Sequence, residues 1–280
     1  MFNINQYSES LTENDGIFFS KDIDKISYPS DGNEVCFNIE DKSFWFQHRN
    51  DCIISVIKKY AKDQLFFDIG GGNGYVTKGL QENGIQACLI EPGIQGCLNA
   101  KKRGITNLIC SDLKNAGLKS DSILSAGLFD VIEHIENDMD FLRAINQCIV
   151  DAGNGYLFIT VPAYQTLWSN EDIEAGHFRR YNMFSLKKKL HDVGFEIEYS
   201  TYIFSFLILP VLIFRTIPSL LCLNRRRIKK TVKEHQIDKK GVFSKLLSKI
   251  LSFELRQIDK SRKIPFGGSC LIVAKKKKIR

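Results

Sequence analysis

Residues 65–80 read LFFDIGGGNGYVTKGL. An apolar run broken only by Asp68 passes into glycines at 70, 71, 72 and 74, and then into a segment of helical character. Glycine is needed where a turn takes positive φ, or where backbone must approach a ligand with no Cβ between them. The stretch therefore predicts a strand, a tight loop and a helix. Working outward, strand-like runs recur at 87–90, 107–110, 123–129, 156–161 and 195–203, with helix-like segments at 75–83, 93–103, 138–150 and 183–192. Upstream, SFWFQHRNDCIISVIKKY (43–60) carries apolar residues at helical spacing behind a Ser that can cap it. Regular alternation of strand and helix predicts an α/β fold, a doubly wound parallel sheet with helices on both faces. Such sheets bind ligands beyond the carboxyl ends of their strands.

The chain has 280 residues, 44% hydrophobic and 25% charged, which excludes a wholly disordered chain and a polytopic membrane protein. Its net charge of +7 divides unevenly. Residues 224–280 hold 19 Lys+Arg against 4 Asp+Glu, or +15, whereas the first 223 hold 20 against 28, or −8. An acidic body is a poor nucleic-acid surface, and a basic end following apolar sequence points to an anionic membrane instead. No signal peptide is read in the first residues, and no Cys-x-x-Cys or zinc-like Cys/His spacing occurs among the eight cysteines. The expectation is buried thiols in a reducing cytoplasm, with no disulfide and no metal.

The loop spacing discriminates among ligands. The dinucleotide pattern G-x-G-x-x-G/A fails, because its last position falls on Tyr75 or Thr77. Asp68-x-Gly70-x-Gly72-x-Gly74 resembles the first motif of class I S-adenosylmethionine (SAM)-dependent methyltransferases. Glu91 ends the second strand, Asp112 the third, and FDVIEHIEND follows the fourth. The stretch VPAYQTLWSNEDIEAGHFRRYN after the fifth resembles the VPA…LWS..D…GH.RRY segment of a bacterial and archaeal subfamily. The resemblance implies a Rossmann-like, mostly parallel seven-stranded sheet whose last strand is antiparallel. It also implies SAM as cofactor, with Glu91 on the ribose hydroxyls and Asp112 and Leu113 at the adenine. Asp130, Glu133 and His134 would face the site, while Trp45, Phe46 and Arg49 would close over the methionine end. A carboxylate-lined pocket suits a ligand bearing a sulfonium and an ammonium better than one bearing phosphate.

Methyl transfer is an in-line displacement that needs alignment and, for a hydroxyl acceptor, a proton acceptor. His177 is the first candidate base, His134 the second, and Asp172 could orient either imidazole. Trp168, Arg179, Arg180 and Tyr181 are candidate substrate contacts, the other reading being a structural loop whose charges pair with Asp172 and Glu174. No Asn/Asp-Pro-Pro-aromatic and no Pro-Cys follows the fourth strand, which argues against DNA amino- and cytosine-C5-methyltransferases. The expected acceptor is an oxygen of a small molecule, a glycan or a lipid-linked molecule. The alternatives are a nicotinamide-dependent oxidoreductase and a non-catalytic membrane- or partner-binding protein of the same fold.

The organisation expected is an extension over 1–42, the cofactor-binding core over 43–203, an apolar and basic insertion over 204–263, and the last strand with a basic tail over 264–280. The insertion opens with FSFLILPVLIFRTIPSLLCL, followed by RRRIKK and a helix with Phe243, Leu246, Leu247, Ile250 and Phe253 on one side. Pro210, Arg215 and Pro218 argue against a span of about 20 residues. The readings left are an interfacial membrane element, peripheral on the inner face of the plasma membrane, or a cap or dimer contact without lipid.

Overall fold

The computed structural model describes residues 3–23, 32–151, 153–221 and 242–278. Its strands are β1 (Thr12–Asn14), β2 (Ile17–Phe19), β3 (Phe66–Ile69), β4 (Ala87–Glu91), β5 (Leu108–Cys110), β6 (Ser125–Phe129), β7 (Tyr156–Pro162), β8 (Phe195–Ile203) and β9 (Ser269–Lys276). They form one sheet in the order β1-β2-β5-β4-β3-β6-β7-β9-β8. Strands β5, β4, β3, β6 and β7 run parallel, and β9 is antiparallel to both β7 and β8. The fold is thus the Rossmann-like one with an antiparallel last strand. The strand order reverses between β3 and β6, so the binding crevice opens at their carboxyl ends.

Seven strands were expected, and nine are present among the described residues. The extra pair is the hairpin β1–β2, which turns at Asp15–Gly16, both at positive φ. Asp-Gly supplies the left-handed pair that a two-residue hairpin turn needs, and β2 then adds in parallel to β5. The stretch GIFFS (16–20) reads as strand-like and holds β2, whereas the polar β1 is too short to show a period in sequence. A second correction concerns EVCFNI, which reads as strand-like but lies largely in helix α1 (Gly32–Phe37). Six residues carry too little period to tell a short helix from a strand.

The remaining helices are α2 (Phe44–Tyr60), α3 (Tyr75–Glu82), α4 (Ile94–Lys102), α5 (Asp138–Cys148), α6 (Asn170–Glu174), α7 (Met183–Asp192) and a C-terminal helix (Val242–Asp259). Ser43 caps α2 by accepting from the Trp45 amide. Side-chain alternation along the strands sorts the core into two layers. Phe66, Phe158 and Leu271 pack with α2, α3 and Ile258 of the C-terminal helix; Phe67, Ile159 and Ile272 pack with α5 and α7.

The insertion between β8 and β9 is tied to the core at two places. Glu254 of the C-terminal helix is buried against α2, bonded by His48 Nε2 (2.7 Å), the Phe204 amide (2.8 Å) and the Ser205 amide (2.9 Å). A helical run over 208–220 lies on the loop after β7, where Thr216 donates to the Leu167 carbonyl and the Asn170 amide donates to Ser219. The run is α-helical at its ends with a π turn over Leu212–Thr216, and no helix among the described residues is long and apolar enough to cross a membrane. RRRIKK and the side chain of Phe243 lie outside the described residues.

Candidate active site

The crevice has two halves, and the first is built around the glycine loop. Asp68 ends β3 fully buried, with Oδ2 accepting from Thr77 of α3 (2.7 Å) and Oδ1 without a hydrogen-bond partner. Burial pushes its carboxyl up to about 6, with the Thr77 hydroxyl working against the shift. Gly74 starts α3 at φ +71, where a Cβ would run into Ile105. Gly70 sits at φ +73, where a Cβ would press on Val131 of the neighbouring loop.

Glu91 at the end of β4 is the centre of this half. Its Oε2 accepts from the Gly72 amide (2.9 Å) and its Oε1 from the Gly93 amide (2.8 Å), and the Asn33 side chain of α1 bonds the same carboxylate. Burial raises Glu91 to about 7 and outweighs these donors. Asp112, past β5, accepts from the Asn115 amide (3.0 Å) and side chain (2.7 Å). Leu113 is buried within the core layer of α5 and α7.

Arg49 of α2 and Asp130 after β6 form an ion pair at the mouth of the crevice. Asp130 takes φ +57, and Thr160 donates to its Oδ1 (3.1 Å). A non-glycine residue in the left-handed region is uncommon, though Asp tolerates it better than most. The guanidinium lies over the rings of Trp45 (4.9 Å) and Phe46 (5.6 Å), and its Nε is buried without a partner. Trp45 itself stacks on Phe204 (5.4 Å, 7°), so it supports the site through Arg49.

The second half comes from the loops after β6 and β7. Helix α6 is closed by a capping box between Ser169 and Asp172. Asp172, 1% exposed, accepts from the Ser169 amide and hydroxyl, His177 Nδ1 (2.9 Å), and Arg180 Nε (2.7 Å) and Nη2 (2.9 Å). Burial alone would raise its carboxyl, but the bonds from His177 and Arg180 prevail and hold it at about 2. His177 and His134 meet ring edge to face at 4.7 Å. Burial, followed by the neighbouring His177, lowers His134 to about 4, so it stays neutral near pH 7.

The structure places the expected substrate contacts Arg179, Arg180 and Tyr181 in bonds within the protein. Arg179 donates to the carbonyls of Ile135 (2.9 Å) and Glu136 (2.7 Å) and pairs with Asp138 (3.2 Å). Arg180 is committed to Asp172, and the buried Tyr181 hydroxyl to Asp138 (2.8 Å) and the Ile132 carbonyl. These groups pin one loop to the other through bonds within the protein. Trp168 is half-buried at the start of α6's loop. Sequence reasoning had no signal for Asn33, because it belongs to no motif and the stretch EVCFNI just after it reads as strand-like. It also gave Glu133 no task of its own, since an acid in FDVIEH shows its burial only once the two loops have met.

The sequence family described as "Methyltransferase domain" matches residues 54–200. No curated protein matches the chain. Among solved structures, a SAM-dependent methyltransferase from Thermotoga maritima is similar at a TM-score of 0.53 and 15% identity, covering 87% of this chain and 94% of that one. A methyltransferase from Haloferax volcanii, solved in complex with the Trm112 methyltransferase activator, gives 0.56 and 13%, covering 90% and 95%. Phosphoethanolamine N-methyltransferase 2 of Haemonchus contortus, solved with SAM, gives 0.55 and 15%, covering 90% of this chain and 58% of that one. At these identities the likeness is one of fold.

Proposed function

The chain belongs to the methyltransferase-domain family, and we propose that it transfers the methyl group of SAM to an oxygen of a small-molecule, glycan or lipid-linked acceptor. The observation that carries the reading is Glu91, held between the Gly72 and Gly93 amides at the end of β4. A carboxylate offers about four lone-pair sites, and three donors occupy Glu91 here. Capacity remains for a ribose hydroxyl, and more if the Asn33 amide gives way. The charged residues also fit a zwitterionic ligand. The orphaned Arg49 Nε suits a carboxylate, whereas Asp130 and the orphaned Asp68 Oδ1 suit an ammonium. When bound, SAM supplies a methyl group activated by its sulfonium.

The chain's own residues then have separable tasks. Glu91, Asp112, Arg49 and Asp130 hold and orient the cofactor. Trp45 and Phe46 cover the Arg49 guanidinium and keep water from it. The His177–His134 pair deals with the acceptor's proton: Asp172 takes the Nδ1–H of His177, which leaves Nε2 as its open nitrogen. General-base assistance of this kind contributes about 10²–10⁴-fold. Calorimetric titration of SAM and NADH tests the cofactor. Glu91→Ala should weaken SAM binding about 10–100-fold, the worth of charge-assisted hydrogen bonds, and tight NADH binding with no SAM signal overturns the reading. A labelled-methyl screen over hydroxyl acceptors identifies the product. If His177→Ala and His134→Ala both keep near-wild-type turnover, transfer works by positioning alone.

A surface feature supports a peripheral membrane role. Leu209, Ile213, Phe214, Leu220 and Leu221 are exposed on the 208–220 run and the turn after it, next in sequence to RRRIKK. Apolar side chains beside a basic stretch suit an anionic bilayer. Flotation with phosphatidylglycerol liposomes tests this; no binding, or equal binding after deletion of 204–262, rejects it.

A further inference from the structure

The spacing of cysteines and histidines predicts no metal, yet the two loops of the acceptor half assemble a donor set of another kind. Glu133, His134 and His177 each offer a ligand atom, and these atoms all lie within 4.8 Å of one another. We propose that the three side chains form a binding site for one divalent transition-metal cation. The inference rests on the methyl-transfer reading for the identity of the acceptor, and on geometry alone for the existence of the site.

Four observations converge. Glu133 is 0% exposed, and no other described residue donates to either of its oxygens. A carboxyl stripped of water with no donor from any other described residue is costly to the fold, and a cation at the cluster supplies what is missing. The second observation is the orientation of His177. Its Nδ1 is held by the buried Asp172 carboxylate at 2.9 Å, which fixes the ring and leaves Nε2 to bind; metal-ligating histidines are held in this way. Third, the two loops are locked in register. Phe178 N donates to the Glu133 carbonyl at 2.7 Å, so the residue after His177 is bonded to the residue before His134. Fourth, the cations nearby are already matched: Arg49 is paired with Asp130, and Arg180 with Asp172.

Two imidazoles and one carboxylate leave further coordination positions open. That donor set suits manganese, iron, cobalt or zinc, whereas magnesium and calcium prefer all-oxygen cages. An acceptor that offers an oxygen as an additional ligand would be held and acidified there. His177 and His134 would then act through the cation rather than as free bases. The acceptor class narrows to molecules whose hydroxyl or enol oxygen can ligate a metal.

The test uses the full chain, stripped with EDTA and dialysed. CoCl2 is titrated by visible absorbance and MnCl2 by electron paramagnetic resonance, with SAM affinity measured in parallel by calorimetry. The expected result is one Co2+ per chain with an ordered d–d spectrum. Glu133→Gln, His134→Ala and His177→Ala should weaken it by about 100-fold, and Asp172→Asn by about 10-fold, as for a partner that orients a ligand. SAM affinity should stay within about 2-fold in Glu133→Gln, which reports that the variant is folded. Absence of Co2+ and Mn2+ binding to the wild-type chain overturns the site. So does binding that survives unchanged in Glu133→Gln and His177→Ala, which would place the ion elsewhere. If Co2+ binds as expected and SAM does not, the metal site stands and the methyl-transfer reading fails.

Discussion

Asp172 and Glu133 stand on neighbouring loops of the same crevice, both buried, and their surroundings are opposite. Asp172 collects donors from Ser169, His177 and Arg180 and is held at about 2. Glu133 has none from any other described residue, and burial together with Asp130 pushes its carboxyl well up. The first is a structural anchor whose charge is cancelled within the protein. The second is kept at the expense of the fold, which is the mark of a group retained for something other than stability. Burial alone therefore says little about a carboxylate; the donors around it decide its use.

The largest effect should come from removing the anchor. Asp172→Ala leaves the Arg180 guanidinium, only 12% exposed, without its counter-charge, and breaking a largely buried pair costs about 3–5 kcal/mol. Urea denaturation checks this, and a loss under about 1 kcal/mol would break the contrast between the two loops. The next test is pH. Burial raises Glu91 to about 7 and Asp68 to about 6, so the folded chain holds their protons more tightly than the unfolded chain. That stability is complete below about pH 4 and is lost as pH rises through about 7. Asp172 has the opposite sign: its contribution is present above about pH 4 and is lost as pH falls through about 2. His134, lowered to about 4, also loses its contribution as pH falls, so the useful readout is a difference between variants. Glu91→Gln should flatten the decline between about pH 5 and 8 by about 1–3 kcal/mol relative to wild type, read as melting temperature against pH.

A smaller change of opposite sign is expected at the unsatisfied carboxyl. In EDTA-treated protein, Glu133→Met should leave stability unchanged or raise it by about 1 kcal/mol, because an apolar side chain of similar length has no lost hydrogen bond to replace. A loss comparable to that of Asp172→Ala would show that Glu133 has a structural partner after all. The smallest effect belongs to the insertion. Phe214 is 69% exposed, so Phe214→Ser should change stability by no more than about 0.5 kcal/mol while lowering liposome flotation.

Much of the cofactor half was legible in sequence because it is local. The strand runs at 65–69 and 87–90 fall within a residue of β3 and β4, and Ser43 caps α2 as its position suggested. Strands buried on both faces must be apolar throughout, and a loop that wraps a ligand must spend glycines. Both demands are written in consecutive residues. The acceptor half was not legible in the same way. Arg179, Arg180 and Tyr181 are in a motif that looks made for an anionic substrate, yet Asp138 and Asp172 claim them once the loops fold. Nothing in a linear pattern says which of two nearby partners a guanidinium will choose. Strand β2 falls within GIFFS, which reads as strand-like, whereas β1 and helix α1 are not legible because three to six residues carry too little period to outweigh their tertiary surroundings.

By itself the sequence determined the α/β layering and the placing of glycines and acids at the strand ends, since periodicity and glycine spacing act over a few residues. Only the tertiary structure decided which acids are satisfied and which are left bare. His134 and His177 are more than forty residues apart in the chain, and they meet because β6 and β7 lie side by side in parallel and deliver their loops to the same edge. Whether a buried carboxylate is an anchor or a ligand depends on what those loops bring within hydrogen-bonding distance, a quantity set by packing across the whole sheet.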